Sequence, residues 1–235
     1  METNMDGGLI SNHMEALPKQ YKNASHGINK QTGLPKLFRG IVLGPSGSGK
    51  TNLIFDLTKR SPNVYTHLHL IVRNPDQPLY QYLKDKLEGF CTIYGEDNIP
   101  SVDQIKKNGL QLVIIDDYSN DQRLCQAMFV PYFIRGRHHG LSTVFLAHAF
   151  HAGCPKMIRL NSEILMILRS PSRADLRTVL RDLPISGLTD EMLWDFYSET
   201  TKSKGQMLLI NQVSQQVKFN WSKVLYDGTL LCTSN

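Results

Sequence analysis

The stretch 41–51, IVLGPSGSGKT, constrains the fold more than any other part of the chain. It reads as a buried strand, a glycine-rich turn and the first turn of a helix. Gly44, Gly49, Lys50 and Thr51 satisfy the phosphate-loop pattern of Gly, any four residues, then Gly-Lys-Ser/Thr. Glycines let the backbone turn back on itself, so that successive N–H groups point into one concavity that holds phosphate oxygens. The positive end of the helix beginning near Gly49 adds to the attraction. In such a loop Gly44, Pro45, Ser46, Gly47, Ser48 and Gly49 surround the phosphates. Lys50 then reaches the β- and γ-oxygens, and the Thr51 hydroxyl ligates Mg²⁺. A flexible Gly/Ser linker has no reason to follow an apolar strand. With glycine at ~7% of residues, a chance match in a chain this long is roughly a one-in-a-hundred event. The expectation is a nucleoside triphosphate site.

The second informative stretch is 110–117, LQLVIIDD. A strand buried on both faces reads as a continuous apolar run, and ligands of open α/β sheets lie at the carboxyl ends of such strands. Asp116 is thereby placed to hold Mg²⁺ opposite Lys50 and Thr51, and Asp117 to polarise an attacking water. Further strands are expected at 39–43, 64–72, 90–94, 142–147 and 163–169, with a terminal hairpin from 205–211 and 216–219. Helices are expected after the phosphate loop, with Leu53, Ile54 and Leu57 inward, and at 79–87, 102–107, 121–130, 155–161 and 189–198. Strands alternating with helices predict an α/β fold, a mostly parallel sheet with helices on both faces. About 65 residues separate the phosphate loop from Asp116, which leaves room for two intervening strands. That suits a RecA-like P-loop NTPase, in which additional strands separate the two motif strands. Residues 1–30 read as a flexible N-terminal tail, 31–221 as the P-loop domain and 222–235 as a C-terminal tail.

The stretch 133–140, FIRGRHHG, reads as a basic turn leading into the strand 142–147. It is either a solvated loop or a place from which a guanidinium, Arg137 or Arg135, reaches a γ-phosphate in its own or a neighbouring subunit. His148 closes that strand, where a polar residue can sense the γ-phosphate. Arg169, Arg173, Arg177 and Arg181 recur every four residues, with Asp175 and Asp182 close by. They form either a salt-bridged, solvated face or a stripe turned to DNA or to another subunit. His67 and His69 share one face of a strand, but no carboxylate or cysteine nearby completes a metal site, so they read as packing or surface residues.

Composition sets wider bounds. A chain of 235 residues, 41% hydrophobic and 20% charged, can bury a sizeable core in one domain. Its formal charge of +5 permits contact with nucleic acid without establishing it. Cys91, Cys125, Cys154 and Cys232 show no CxxC pair and no metal-like spacing, which predicts free thiols in a reducing compartment. No apolar run approaches the ~18 residues of a membrane span, and 1–18 lack the order of a signal peptide. A soluble intracellular protein is expected.

Four pieces carry a family resemblance: GPSGSGKT at 44–51, IIDD at 114–117, FIRGRHHGLSTVFLAHAF at 133–150 and PKMIRLNSEILMIL at 155–168. In that order, over roughly residues 37–210, the chain resembles the genome-packaging ATPases of the FtsK–HerA superfamily. The type is that of poxviruses, other large eukaryotic DNA viruses, virophages and Polinton-like elements. The resemblance implies an ATP- and Mg²⁺-dependent homo-oligomeric ring, pentameric or hexameric, that moves double-stranded DNA into a preformed capsid. It further implies a capsid or portal-vertex partner and a place in the host cytoplasm or nucleus. By position, Lys50 and Thr51 match the phosphate and Mg²⁺ residues, and Asp116 the metal-holding acid. Asp117 stands where many relatives have Glu as the water-activating residue. Arg137, then Arg135, then Arg159 are the candidates for an arginine acting in trans, and His148 lies where the family commonly has a Gln sensor. The rival readings are a small-molecule P-loop kinase, a non-hydrolysing nucleotide-binding scaffold at the packaging vertex, and a single-strand helicase or recombinase-type motor.

Overall fold

The computed structural model describes residues 26–169 and 172–231. Six strands run parallel: β1 (Arg39–Leu43), β2 (His67–Val72), β3 (Cys91–Tyr94), β4 (Gln111–Asp116), β5 (Leu141–Ala147) and β6 (Ile164–Ile167). Three more, β7 (Leu208–Asn211), β8 (Gln216–Phe219) and β9 (Lys223–Asp227), extend one side antiparallel. The spatial order is β3-β2-β4-β5-β1-β6-β7-β8-β9. The two strands expected between the motif strands exist in chain order, as β2 and β3. In space they lie beyond β4, and the strand inserted between β1 and β4 is β5. This is the additional-strand, RecA-like arrangement.

The apolar runs in β1 and β4 follow from cover on both faces, because alternate residues of a strand point to opposite sides. Ile41, Leu43, Val113 and Ile115 enter one core with Phe129, Tyr132, Phe133 and Val179. Val42, Leu112 and Ile114 enter the other with Leu53, Ile54, Leu57 and Leu83. The second core is roofed by α1 (Lys50–Lys59) and α2 (Pro78–Lys86). The first is roofed by α3 (Val130–Arg135), α4 (Lys156–Leu160), α5 (Arg173–Asp182) and α6 (Asp190–Thr200). The later helices carry side-chain caps: Ser172 accepts from the Asp175 N–H and Thr189 from the Met192 N–H. By contrast α1 has no side-chain cap, so its first N–H groups face the loop before it. Register gathers the carboxyl ends of the parallel strands at one edge, with Leu43 beside Ala147 and Val72 beside Asp116.

Several expectations shift. The segment 121–135 is one helical run: a turn Gln122–Leu124, a π-helical turn Cys125–Phe129, then α3. The basic stretch is therefore not a loop but the end of α3 continued by a 3₁₀ turn, Gly136–His139. Asn29 is buried and donates to the Arg60 carbonyl and the Ser61 hydroxyl, so packing begins before residue 31. At the other end Lys223–Asp227 forms β9, where a tail was expected. Residues 1–25 of the N-terminal tail and Cys232 lie outside the described residues. No helix among the described residues is long and apolar enough to cross a membrane.

Candidate functional site

The loop 44–49 leaves β1 and delivers the chain to α1. Gly47 and Gly49 adopt φ of 75° and 102°, left-handed values that a side chain would strain, and this lets the N–H groups turn inward. The Ser48 hydroxyl is buried with no hydrogen-bond partner among the described residues, a donor aimed at nothing in the protein itself. Together with the uncapped start of α1, this cradle fits a bound phosphate.

Lys50 is 7% exposed. Its ammonium donates to the Gly44 and Pro45 carbonyls at 2.8 and 3.1 Å and to His148 Nδ1 at 3.2 Å. Burial lowers its pKa, opposed by the charges of Asp116 and Asp117. An ammonium can only donate, so Nδ1 is the acceptor in this contact, and Nε2 is the ring nitrogen turned away from Lys50. That nitrogen faces Asp117 Oδ1 at 3.7 Å. His148, placed by the end of β5, thus stands between the loop lysine and the second acid.

Asp116 ends β4 and is buried, and burial raises its pKa against the opposing Tyr80 hydrogen bond and Lys50 charge. Tyr80, fully buried on α2, donates its hydroxyl to Asp116 Oδ2 at 2.6 Å. Burial and the neighbouring acids push the Tyr80 pKa far up, so it stays a donor. Asp117 has φ 65°, a conformation Asp tolerates better than most residues, and this turn takes it off the strand. Its Oδ2 accepts from Asn74 Nδ2 at 3.0 Å.

A cavity of about 370 Å³ unites these groups, lined by Ser46, Lys50, Thr51, Asp116, Asp117 and His148 among others. A second, of about 620 Å³, runs along α1 toward Met207, Asn220 and Trp221, and the two share Gly49, Asn52 and Lys204. Tyr80, Asn74 and Lys204 were not foreseen. Tyr80 falls within the helix expected at 79–87, where nothing in the local pattern sets it apart. Only the Lys-Ser-Lys-Gly of 202–205 before a strand carried a signal for Lys204.

The three arginine candidates do not join this cluster. Arg135 and Arg137 precede β5, at the amino end of the parallel strands, whereas His148 follows it. Seven strand residues at ~3.3 Å each put ~20 Å between them and the loop, which rules out action on a phosphate in their own chain. Arg135 is paired with Asp103 at 2.9 Å. Arg137 is exposed, and its side chain has no hydrogen bond or ion pair among the described residues. Arg159 is 5% exposed, bonded to Asp182 at 2.7 Å and to the Cys154 carbonyl at 2.7 Å, and so is occupied inside its own fold. At the carboxyl edge stand Arg73, paired with Asp121 at 3.6 Å and lying over the Tyr118 ring, and Arg169, which donates to the Lys202 carbonyl at 3.2 Å.

The arginine stripe on α5 is a salt-bridged face. Arg177 pairs with Asp190 at 3.1 Å, Arg181 with Asp182 at 3.1 Å, and Arg173 lies over Trp194. His67 meets the Thr92 hydroxyl at 2.8 Å, and His69 meets Gln111 at 2.9 Å and Tyr94 at 3.2 Å, so both rings are engaged in packing.

A phosphate loop on β1, two acids at the end of β4 and a strand inserted between them define a RecA-like P-loop NTPase. The sequence model of the family described as "Poxvirus A32 protein" matches residues 27–218, and the chain belongs to that family. The resemblance to FtsK–HerA viral packaging ATPases holds with it. No curated protein matches the chain. Among solved structures, the genome packaging NTPase B204 of Sulfolobus turreted icosahedral virus 2, in complex with AMPPCP, is similar at 16% identity and TM-score 0.57. That match covers 79% of this chain and 97% of that one. The cytoplasmic domain of the Thermomonospora curvata type VII secretion ATPase EccC is similar at 16% identity and TM-score 0.53, over 83% of this chain and 27% of that one. The pCW3 conjugation coupling protein TcpA, with ATPγS, is similar at 10% identity and TM-score 0.55, over 83% of this chain and 62% of that one. The chain is thus a member of the poxvirus A32 family with a fold similar to that of a viral genome packaging NTPase.

Proposed function

We propose that the protein is an ATP-hydrolysing motor that drives double-stranded viral DNA into a preformed capsid. The observation that carries this reading is the convergence of Lys50, Thr51, Asp116, Asp117 and His148 on one cavity, in a chain of the poxvirus A32 family. The loop N–H groups and Lys50 hold the triphosphate, and the larger cavity beside α1 takes the nucleoside. The Thr51 hydroxyl and the Asp116 carboxylate are hard oxygen donors of the kind Mg²⁺ prefers. Held by these two side chains, Mg²⁺ would supply positive charge to offset the charge that develops during phosphoryl transfer.

Asp117 orients the attacking water, its carboxylate held by Asn74 and facing His148. His148 links that acid to Lys50, which gives it the position of a γ-phosphate sensor. No arginine lines the smaller cavity among the described residues, and Arg137 of a neighbouring subunit supplies a guanidinium there in a homo-oligomeric ring. A ring of this kind acts against a capsid or portal-vertex protein.

The test is phosphate release from ATP with and without duplex DNA, alongside the mass of the assembled particle. Release stimulated by duplex DNA in an oligomer is the expected result. Nucleotide-dependent assembly without phosphate release would instead indicate a scaffold, and preference for single strands with strand displacement would indicate a helicase-type motor.

A further inference from the structure

Tyr80 is placed unlike a packing residue. It is fully buried in the first turn of α2, with Leu53, Ile54 and Leu83 in the same core, yet its hydroxyl reaches the carboxyl edge of the sheet. There it meets Asp116 Oδ2 at 2.6 Å, and the Thr51 side chain is close enough to oppose part of the rise in the Tyr80 pKa. Those are the two side chains read above as metal ligands. A phenol at neutral pH is protonated and donates one hydrogen while accepting another. With its pKa far up, Tyr80 donates its hydrogen to Asp116.

We propose that Tyr80 is a positioning residue for a divalent cation: it fixes Asp116 by occupying Oδ2 and leaves Oδ1 as the oxygen free to ligate. The inference rests on the nucleotide reading. Its physical basis is the behaviour of groups behind a metal's own ligands, whose removal typically weakens metal affinity ~10–100-fold. The base of α2 is itself anchored: Pro78 presets the first helical turn and the Tyr80 N–H bonds to the Gln77 carbonyl. Asn74, a few residues earlier, holds Asp117, so one connection from β2 to α2 steadies both acids. Mg²⁺ demands a near-ideal octahedron, whereas Ca²⁺ accepts irregular and bidentate ligation. Freeing Asp116 Oδ2 therefore harms Mg²⁺ binding more than Ca²⁺ binding.

The experiment titrates Mg²⁺ and, separately, Ca²⁺ into full-length protein with a fluorescent ATP analogue, reading bound nucleotide. Tyr80→Phe keeps the ring and removes the hydroxyl. It is expected to leave metal-free nucleotide binding unchanged and to raise the Mg²⁺ half-saturation point by ~10-fold or more, with a smaller shift for Ca²⁺. Leu83→Ala, on the same buried face, reports packing loss alone and should leave both half-saturation points in place. An unchanged Mg²⁺ point in Tyr80→Phe overturns the proposal, as does an equal shift in Leu83→Ala. A wild-type protein that binds the analogue without regard to Mg²⁺ overturns the metal role while sparing the nucleotide reading. One that binds no analogue overturns both.

Discussion

At the carboxyl end of the parallel strands, Lys50, Asp116, Asp117 and His148 are tied to one another, to backbone carbonyls, or to Tyr80 and Asn74 by hydrogen bonds of 2.6 to 3.2 Å. At the amino end, Arg137 stands exposed on a 3₁₀ turn and its side chain has no hydrogen bond or ion pair among the described residues. One edge is a set of charges and dipoles held in place before any ligand arrives, which is what stabilising a developing charge requires. The other edge holds a charge with nothing to act on in its own chain. On the proposed function, this contrast divides the chemistry: the fixed groups sit at the sheet end, and the free guanidinium is left to act on a second molecule.

Asp117→Asn probes the fixed end most severely. Asn tolerates the same left-handed backbone, so the fold is kept while the ability to take a proton from water is lost. Hydrolysis is expected to fall ~10²–10⁴-fold with nucleotide binding retained, read by phosphate release and by equilibrium binding on the same preparation. Activity close to wild type would remove Asp117 from the chemistry and break the contrast at its fixed end.

Arg159→Ala sharpens the other side, because it separates a structural arginine from a catalytic one. The Arg159–Asp182 pair is 5% and 7% exposed, and removing one partner of such a pair costs about 3–5 kcal/mol of stability, read by denaturant unfolding. Burial alone would raise the Asp182 carboxyl, but the Arg159 and Arg181 hydrogen bonds outweigh it and hold it below its ordinary 3.8. A folded value that is lowered gives stability that is complete above 3.8 and lost as pH falls through the folded value. The stability difference between wild type and Asp182→Asn is therefore full at neutral pH and shrinks in acid. A difference that grows in acid would contradict the pairing.

Local sequence made the phosphate loop and the β4 acids legible because both obey short-range rules: a spacing of eight residues and an apolar run that ends in charge. The two-sided sheet followed from the same runs. Arg159 was misread because its partner, Asp182, is 23 residues away, and only the packing of α4 against α5 brings them together. Tyr80 was hidden for a related reason: its apolar ring satisfies helix patterning, and its hydroxyl finds Asp116 36 residues later in a neighbouring strand. The strand β9 is half exposed and at the sheet edge, where weak alternation leaves little pattern to read. The basic stretch read as a loop because its glycines and charges suggested a turn, whereas Phe133 and Tyr132 pack it down as helix.

The central claim, a site fixed at one edge and completed by a neighbour's other edge, is tested most directly by mixing two inactive variants. Lys50→Ala removes phosphate binding from its own site but keeps Arg137, and Arg137→Ala keeps a whole nucleotide site but lacks the guanidinium. A trans arginine is worth ~10³-fold or more in rate, so each variant alone should be silent. Mixed and allowed to assemble, they should regain part of the wild-type phosphate release, because Lys50→Ala subunits present Arg137 to Arg137→Ala neighbours. No recovery on mixing, together with full activity of the dilute wild-type monomer, would contradict the claim.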